Sequence, residues 1–182
     1  MSKLKVYVEQ GFDEYKVCLN LSKHELECQD MGAVIASIEQ AKELKLLDLS
    51  VNLIDSQGIQ HLMLALDFSD VKLQKLDLSE NMVGPKSMDA VGKYVRNNTE
   101  LQCLALRRAF IGNKGLRILS NYVEKHPCLT SIDIRDNNIN DAAMTDFLLT
   151  LKKTQVPRII DCLQGNNLSD QMILSCDSVE MA

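Results

Sequence analysis

The sequence predicts an α/β fold: a right-handed βα solenoid, with a parallel sheet lining its concave side and helices outside. Three observations lead there. The string Leu-x-x-Leu-x-Leu-x-x-Asn recurs as LKLLDLSVN from Leu44, LQKLDLSEN from Leu73, LQCLALRRA from Leu101 and LTSIDIRDN from Leu129, in steps of 29, 28 and 28 residues. Inside each string apolar and polar residues alternate, as in Leu47-Asp48-Leu49 and Leu76-Asp77-Leu78, the period of a strand with one buried face. The rest of each unit has helical spacing: Ile59, Leu62, Met63 and Leu66, and again Met144, Phe147, Leu148 and Leu151, fall at i, i+3, i+4 and i+7. A unit of one strand and one helix cannot bury its own apolar face, so neighbours must stack.

Taken in order, residues 1–15 are expected to form an N-terminal strand or cap, because MSKLKVYVEQ alternates apolar and polar residues. The repeats run from 16 to 170 and the C-terminal tail from 171 to 182, within one domain, 1–182. The first unit is VCLNLSKHEL, with Leu19, Leu21 and Leu26 in phase and His24 where Asn is expected. Helix starts are marked by Asp55 or Ser56 as N-cap, by Pro85 at a first helical position, and by Asn140 or Asp141. The last unit, IIDCLQGNNLSD, supplies Leu163, Asn166 and Leu168, but Asp161 occupies the apolar fourth position and Ile160 stands one residue early. A bulge or register shift is expected there. About six units result, the outer two degenerate in the manner of caps.

Composition narrows the function classes. Hydrophobic residues make up 46% and charged residues 25%, which suits a folded, soluble domain. Aromatics are only 4% and Trp is absent, so the core is aliphatic. The net charge of −5 supplies no basic field for nucleic acid. No apolar run approaches the roughly 20 residues of a membrane span, and the N-terminus has no signal-peptide stretch. The expectation is a cytoplasmic protein. On that expectation the six cysteines (Cys18, Cys28, Cys103, Cys128, Cys162 and Cys176) are reduced thiols, and the sequons at Asn20, Asn97 and Asn167 are chance matches.

Repeats of this length, with a full helix in each, resemble the leucine-rich repeats of the ribonuclease-inhibitor class. That class includes ribonuclease inhibitor, the Ran GTPase-activating protein and the C-terminal domain of tropomodulin. The segment NNTELQCLAL, from Asn97 to Leu106, is similar to the repeat junctions of tropomodulin-like proteins. The resemblance covers roughly residues 16 to 170 and rests on structural positions. It implies that the ninth-position residues Asn52, Asn81, Asn137 and Asn166 form a ladder satisfying backbone groups in the turn after each strand, which a tight buried turn requires. Ala109 interrupts that ladder, which implies an unsatisfied turn, a trapped water or a locally different loop.

Outward strand positions form rows across the sheet. Position 5 reads Asn20, Asp48, Asp77, Ala105, Asp133, Cys162; position 7 reads Ser22, Ser50, Ser79, Arg107, Arg135, Gln164; position 8 reads Lys23, Val51, Glu80, Arg108, Asp136, Gly165. Arg107 and Arg135 are therefore neighbours, and like charges side by side need compensation. Either a partner's acidic group supplies it, or Asp133 and Asp136 do. The partner reading selects Arg107, Arg108, Phe110 and Arg135, with Asp133 and Asp77, because Arg and aromatics dominate binding hot spots. Leu46 and Val51, also outward, imply either an apolar contact patch or a cover formed by residues 4–9.

Enzyme signatures are absent. His24, His61 and His126 lie in different units without metal-ligand spacing. GPKS at Gly84 sits in a repeat turn, and its proline removes an amide a phosphate loop would need. The acidic row Asp48, Asp77 and Asp133 lacks carbonyl ligands for a cation and reads as a solvated face. No cofactor and no metal are expected. The reading is a non-enzymatic scaffold binding a protein partner on its concave face, as a monomer or with weak end-to-end self-association. The alternatives are a tropomodulin-like actin or axonemal factor, a Ran-type GTPase activator, or a piece of a larger protein. The ending DSVEMA has no acid run like that of the Ran-directed member, and the cap after Asp170 is thin.

Overall fold

The alternation read from the sequence reappears as six three-residue strands whose central residue always points into the protein. A computed structural model describes residues 10–14, 17–153, 156 and 158–177, residues 174–177 by backbone alone. The strands are β1 (Cys18–Asn20), β2 (Leu46–Asp48), β3 (Lys75–Asp77), β4 (Cys103–Ala105), β5 (Ser131–Asp133) and β6 (Ile159–Asp161). All neighbours pair in parallel, in the order β1-β2-β3-β4-β5-β6. The helices are α1 (Met31–Gln40), α2 (Ser56–Phe68), α3 (Gly84–Asn97), α4 (Gly112–Val123), α5 (Asp141–Leu151) and α6 (Asp170–Asp177). The chain is thus α/β, one parallel sheet alternating with helices, as in a βα solenoid.

One layer of core joins sheet and helices. Leu19, Leu47, Leu76, Leu104 and Ile132 stand in register across the strands and share a single apolar cluster with the helix stripes. Ile59, Leu62, Met63 and Leu66 are all buried on α2; on α5 Met144, Phe147 and Leu151 are buried and Leu148 packs against the cluster. Fully burying such a side chain contributes about 1.5–3 kcal/mol, so stacking the units is what stabilises each one. Helices α1 to α5 pack side by side, each against the next.

The helix starts follow from local chemistry. Asp55 caps α2 by accepting from the Gly58 amide (2.8 Å), and Asn140 caps α5 by accepting from Ala143 (3.1 Å). Helix α3 begins at Gly84, with Pro85 one residue further in than expected. Gly84 is itself at φ +64°, a conformation that glycine takes without strain.

At the last unit the expected shift lies elsewhere than the sequence suggests. Ile160 pairs in register with Ile132 and Asp161 with Asp133, while Cys162 is buried in the core. Cys162 therefore does not belong to the outward position-5 row; Asp161 does. The extra residue is Leu163, between strand and turn. Asn166 donates to the carbonyl four residues before it, whereas Asn137 reaches one three before. Of the N-terminal strand or cap expected for residues 1–15, residues 1–9 (the expected cover of Leu46 and Val51 among them) and 15 lie outside the described residues, while Gln10 and Gly11 are helical rather than extended. Phe12 bridges antiparallel to Leu19.

Candidate partner-binding face

The sheet surface opposite the helices remains accessible along its length, and the turn after each strand fixes what it displays. Each turn bends through a left-handed residue at position 8: Lys23, Val51, Glu80, Arg108, Asp136 and Gly165 have φ between +49° and +65°. The amide of each such residue up to Asp136 donates to a position-7 carbonyl of the next unit, as in Glu80 to Arg107 (2.7 Å) and Asp136 to Gln164 (2.8 Å). Behind the turn lies the asparagine ladder. Asn137 donates to the carbonyls of Leu106 (2.7 Å), Ile134 and Arg135 and accepts from the amides of Ala109 and Ile111. Asn52, Asn81 and Asn166 bond in the same way.

Where Ala109 interrupts the ladder, the loop is locally different. Met82 donates to the Ile54 carbonyl in the preceding unit, but one unit on it is Gly84 that donates to Ala109 (2.9 Å). The Val83 carbonyl instead accepts from two hydroxyls, Ser56 (2.6 Å) and Ser87 (2.7 Å). Phe110, next to Ala109, takes φ +57° and stands 69% exposed.

The position-5 acids have a local task that the sequence reading missed. Asp48, Asp77 and Asp133, like Asn20, each accept from the amide two residues on (2.9–3.1 Å). Their side chains close the end of the strand, the residue–amide pattern of an Asx turn. Asp77, among the expected partner-binding residues, is held in this role on β3, where its register partner is Ala105.

Arg107, Arg108, Asp133 and Arg135 come together with Asp136 and Glu80. Arg135 grips Asp133 through two bonds, Nε at 2.9 Å and a terminal nitrogen at 2.6 Å. Arg107 Nε donates to Asp136 (2.9 Å), and Arg108 lies 3.4 Å from Asp136 and 3.7 Å from Glu80. The bond from Arg107 is the main reason the Asp136 carboxyl is held below the usual range, with Arg108 adding to it. The grip of Asp133 likewise raises Arg135. The adjacent arginines are thus compensated inside the chain, yet half or a third of each side chain still faces solvent. Asp136 is in turn backed by Gly165, where a Cβ would come within 2.9 Å of the Asp136 Cα and collide with its carboxylate. Leu46 and Val51 are about a third exposed among the described residues.

A second polar set, unforeseen, sits at the helix-to-strand corners. Asn98 donates to the Leu73 carbonyl (2.8 Å) and to the Tyr94 hydroxyl. His126 accepts at Nδ1 from the Cys128 and Leu129 amides, so its Nε2, 3.0 Å from the Asn98 carbonyl, is the donor. Arg158 donates to the carbonyls of Val123, His126 and Leu129. Burial pushes both His126 and Arg158 below their ordinary values. The spacing of 28 residues between Asn98 and His126 is the signal that could have revealed this row.

Among the described residues no group of three or more His, Cys, Asp or Glu side chains is placed to hold a metal ion, and no helix is long and apolar enough to cross a membrane. Cys18, Cys28, Cys103, Cys128 and Cys162 are free thiols; the Cys176 side chain lies outside the described set. A groove of about 430 Å³ opens between α2 and α3, where His61 and Lys86 face Met63 and Leu64. Two of its acids are already engaged, Asp67 by Asn97 and Asp89 by Lys93. A scan of protein-family models and a search of curated proteins find no match to the chain.

Proposed function

We propose that the chain is a non-enzymatic binding module, built of leucine-rich repeats of the ribonuclease-inhibitor class, that takes a protein partner on the open face of its sheet in the cytoplasm. One observation carries the reading. Arg107, Arg108 and Arg135, from adjacent units, are held by Asp133 and Asp136 with their guanidinium groups part-exposed on a surface that no described helix covers. Pre-aligned arginines lose less conformational freedom on binding, and their planar forks suit carboxylates of a partner.

The test is to purify the partner by affinity from the native cell and measure its binding to the purified chain. Replacing Arg107 and Arg135 together by Ala should weaken it by about 2 kcal/mol or more. The fold should lose no more than about 1 kcal/mol per exposed pair. Ser50→Ala is the control, at the same row position. Unchanged affinity in the double variant would remove the sheet face from the reading.

A further inference from the structure

We propose that the loops following β2, β3 and β4 form a second docking edge, separate from the arginine cluster, that accepts an acidic amphipathic helix of a partner protein. Leu53, Met82 and Phe110 occupy the same position, two residues beyond the left-handed turn, in three successive units. They are 48%, 49% and 69% exposed. The row is bounded, since the equivalent residues on either side are Glu25, Asn138 and Asn167. The loops lie side by side: Met82 donates to Ile54 and bridges to Asp55, and Gly84 donates to Ala109.

Phe110 is the most exposed of the three, at 69%. A bulky side chain seldom adopts φ +57°, whereas Asn does so readily, and Asn138 holds the same angle at the same position one unit on. Glu25, at the same position of the first unit, takes φ +54°, so the units that share the angle otherwise carry polar residues there. Here the chain keeps an aromatic in a left-handed turn and exposes it. Local rules broken without gain to the fold are most often broken for a contact.

Charge selects the occupant. On the helix side of the row, Lys86 and Lys114 stand exposed in the first turns of α3 and α4. Neither helix has an acid in its first turn or a side-chain cap from Val83 or Ile111. By contrast Asp55 caps α2, and α5 and α6 begin with Asp141 and Asp170. Lysine near a helix N-terminus adds to the positive end of the dipole. Among the described residues neither lysine makes an ion pair. In a chain of net charge −5, two exposed lysines without ion pairs thus follow directly on the apolar row. Units about 4.8 Å apart match the roughly 5–6 Å between i and i+3 or i+4 side chains of a helix better than alternate residues of a strand. Carboxylates flanking that helical stripe would meet the two lysines.

The test is a phage-displayed library of random peptides, about four helical turns long, panned against the intact chain. Enriched clones should carry apolar residues at i, i+3 or i+4 and i+7 with Asp or Glu beside them. Their synthetic forms should lose about tenfold or more in affinity for the Met82→Ser/Phe110→Asn variant and for Lys86→Glu/Lys114→Glu. The Phe110→Asn change alone should leave the melting temperature unchanged or raise it, which separates lost binding from lost fold. The proposal is overturned if no clone is enriched, if the clones are basic, or if neither variant weakens them. Loss only in Arg107→Ala/Arg135→Ala would overturn it and leave the sheet-face reading standing. Concentration-dependent self-association abolished by the same row substitutions would assign the edge to a second copy and overturn the acidic partner.

Discussion

The Ser79 hydroxyl accepts the backbone amide of Arg107, 3.2 Å away in the next unit. In three other units an Asp two residues earlier accepts that amide, but here the residue two before is Ala105. Ser79 is itself held by Asp77 through its own amide (3.0 Å), so one unit closes the strand end of the next. Arg107 is thereby presented without an acid of its own unit beneath it, and its guanidinium is left to reach Asp136.

Ser79→Ala should therefore cost about 1 kcal/mol in urea unfolding, while Ser50→Ala should be nearly silent. Adding Ala105→Asp to the Ser79 variant should recover most of the loss, because an acid at 105 would supply the missing acceptor. A full, unrescued loss would mean that the hydroxyl acts by packing alone. Ser79 is for the same reason no neutral control for the arginines.

Asn137 should be a far more sensitive rung of the ladder than Asn166. The Leu49 carbonyl accepts from both Asn52 and Asn81 (2.8 Å each), but with Ala109 in the neighbouring rung the Leu106 carbonyl has only Asn137 as its ladder donor. Asn137→Ala leaves that carbonyl and the Ala109 and Ile111 amides without side-chain partners. Each buried polar group so abandoned costs about 1–3 kcal/mol, so the variant should lose at least about 3 kcal/mol. The same change at Asn166, a part-buried rung, should cost clearly less. Equal losses in chemical denaturation would show that neighbouring rungs do not share load.

Stability should fall as the solution is acidified through the histidine range. Burial lowers the folded-state pKa of His126 below its ordinary 6.5. Between those values the unfolded chain binds a proton that the folded chain refuses. The contribution is complete above about pH 6.5 and is lost as pH drops from there through the folded value. The carboxyls whose values are depressed, Asp89, Asp136 and Asp141, act lower, below their ordinary 3.8, so the two windows are distinct. His126→Asn, which copies Asn98 at the corresponding corner, should flatten the upper window in thermal melts taken across pH 5 to 7. An unchanged slope would assign it to another group.

Periodicity made the strands and the helical stripes legible, because each is a repeated burial pattern, whereas the ladder was implied by the resemblance to leucine-rich repeats. The register of β6 was misread because Leu163 separates two signals that coincide in the other units, the apolar strand residues and the turn asparagine. Followed back from Asn166, the count puts Cys162 outward; followed by strand pairing, it puts Asp161 there. Phe110 was singled out from the sequence, but the row it forms with Leu53 and Met82 was not, for another reason. Residues after a left-handed turn do not follow the alternation of the strand, and only the folded loop shows that they face solvent. The acids at position 5 looked like a solvated row because the sequence displays their charge and hides the amide two residues on.

Gly165 closes against Asp136, and Asp136 is what Arg107 and Arg108 are aimed by. The direction of two side chains on the fourth unit is therefore set by a missing methyl group on the sixth. The last unit acts as an alignment gauge as well as a cover for the core. Any Cβ at 165 would push the carboxylate away, and both guanidinium groups would lose their common anchor while β4 and β5 stayed paired. Damage that begins at the C-terminal end of this chain would misdirect Arg107 and Arg108 before it unpaired the strands that carry them.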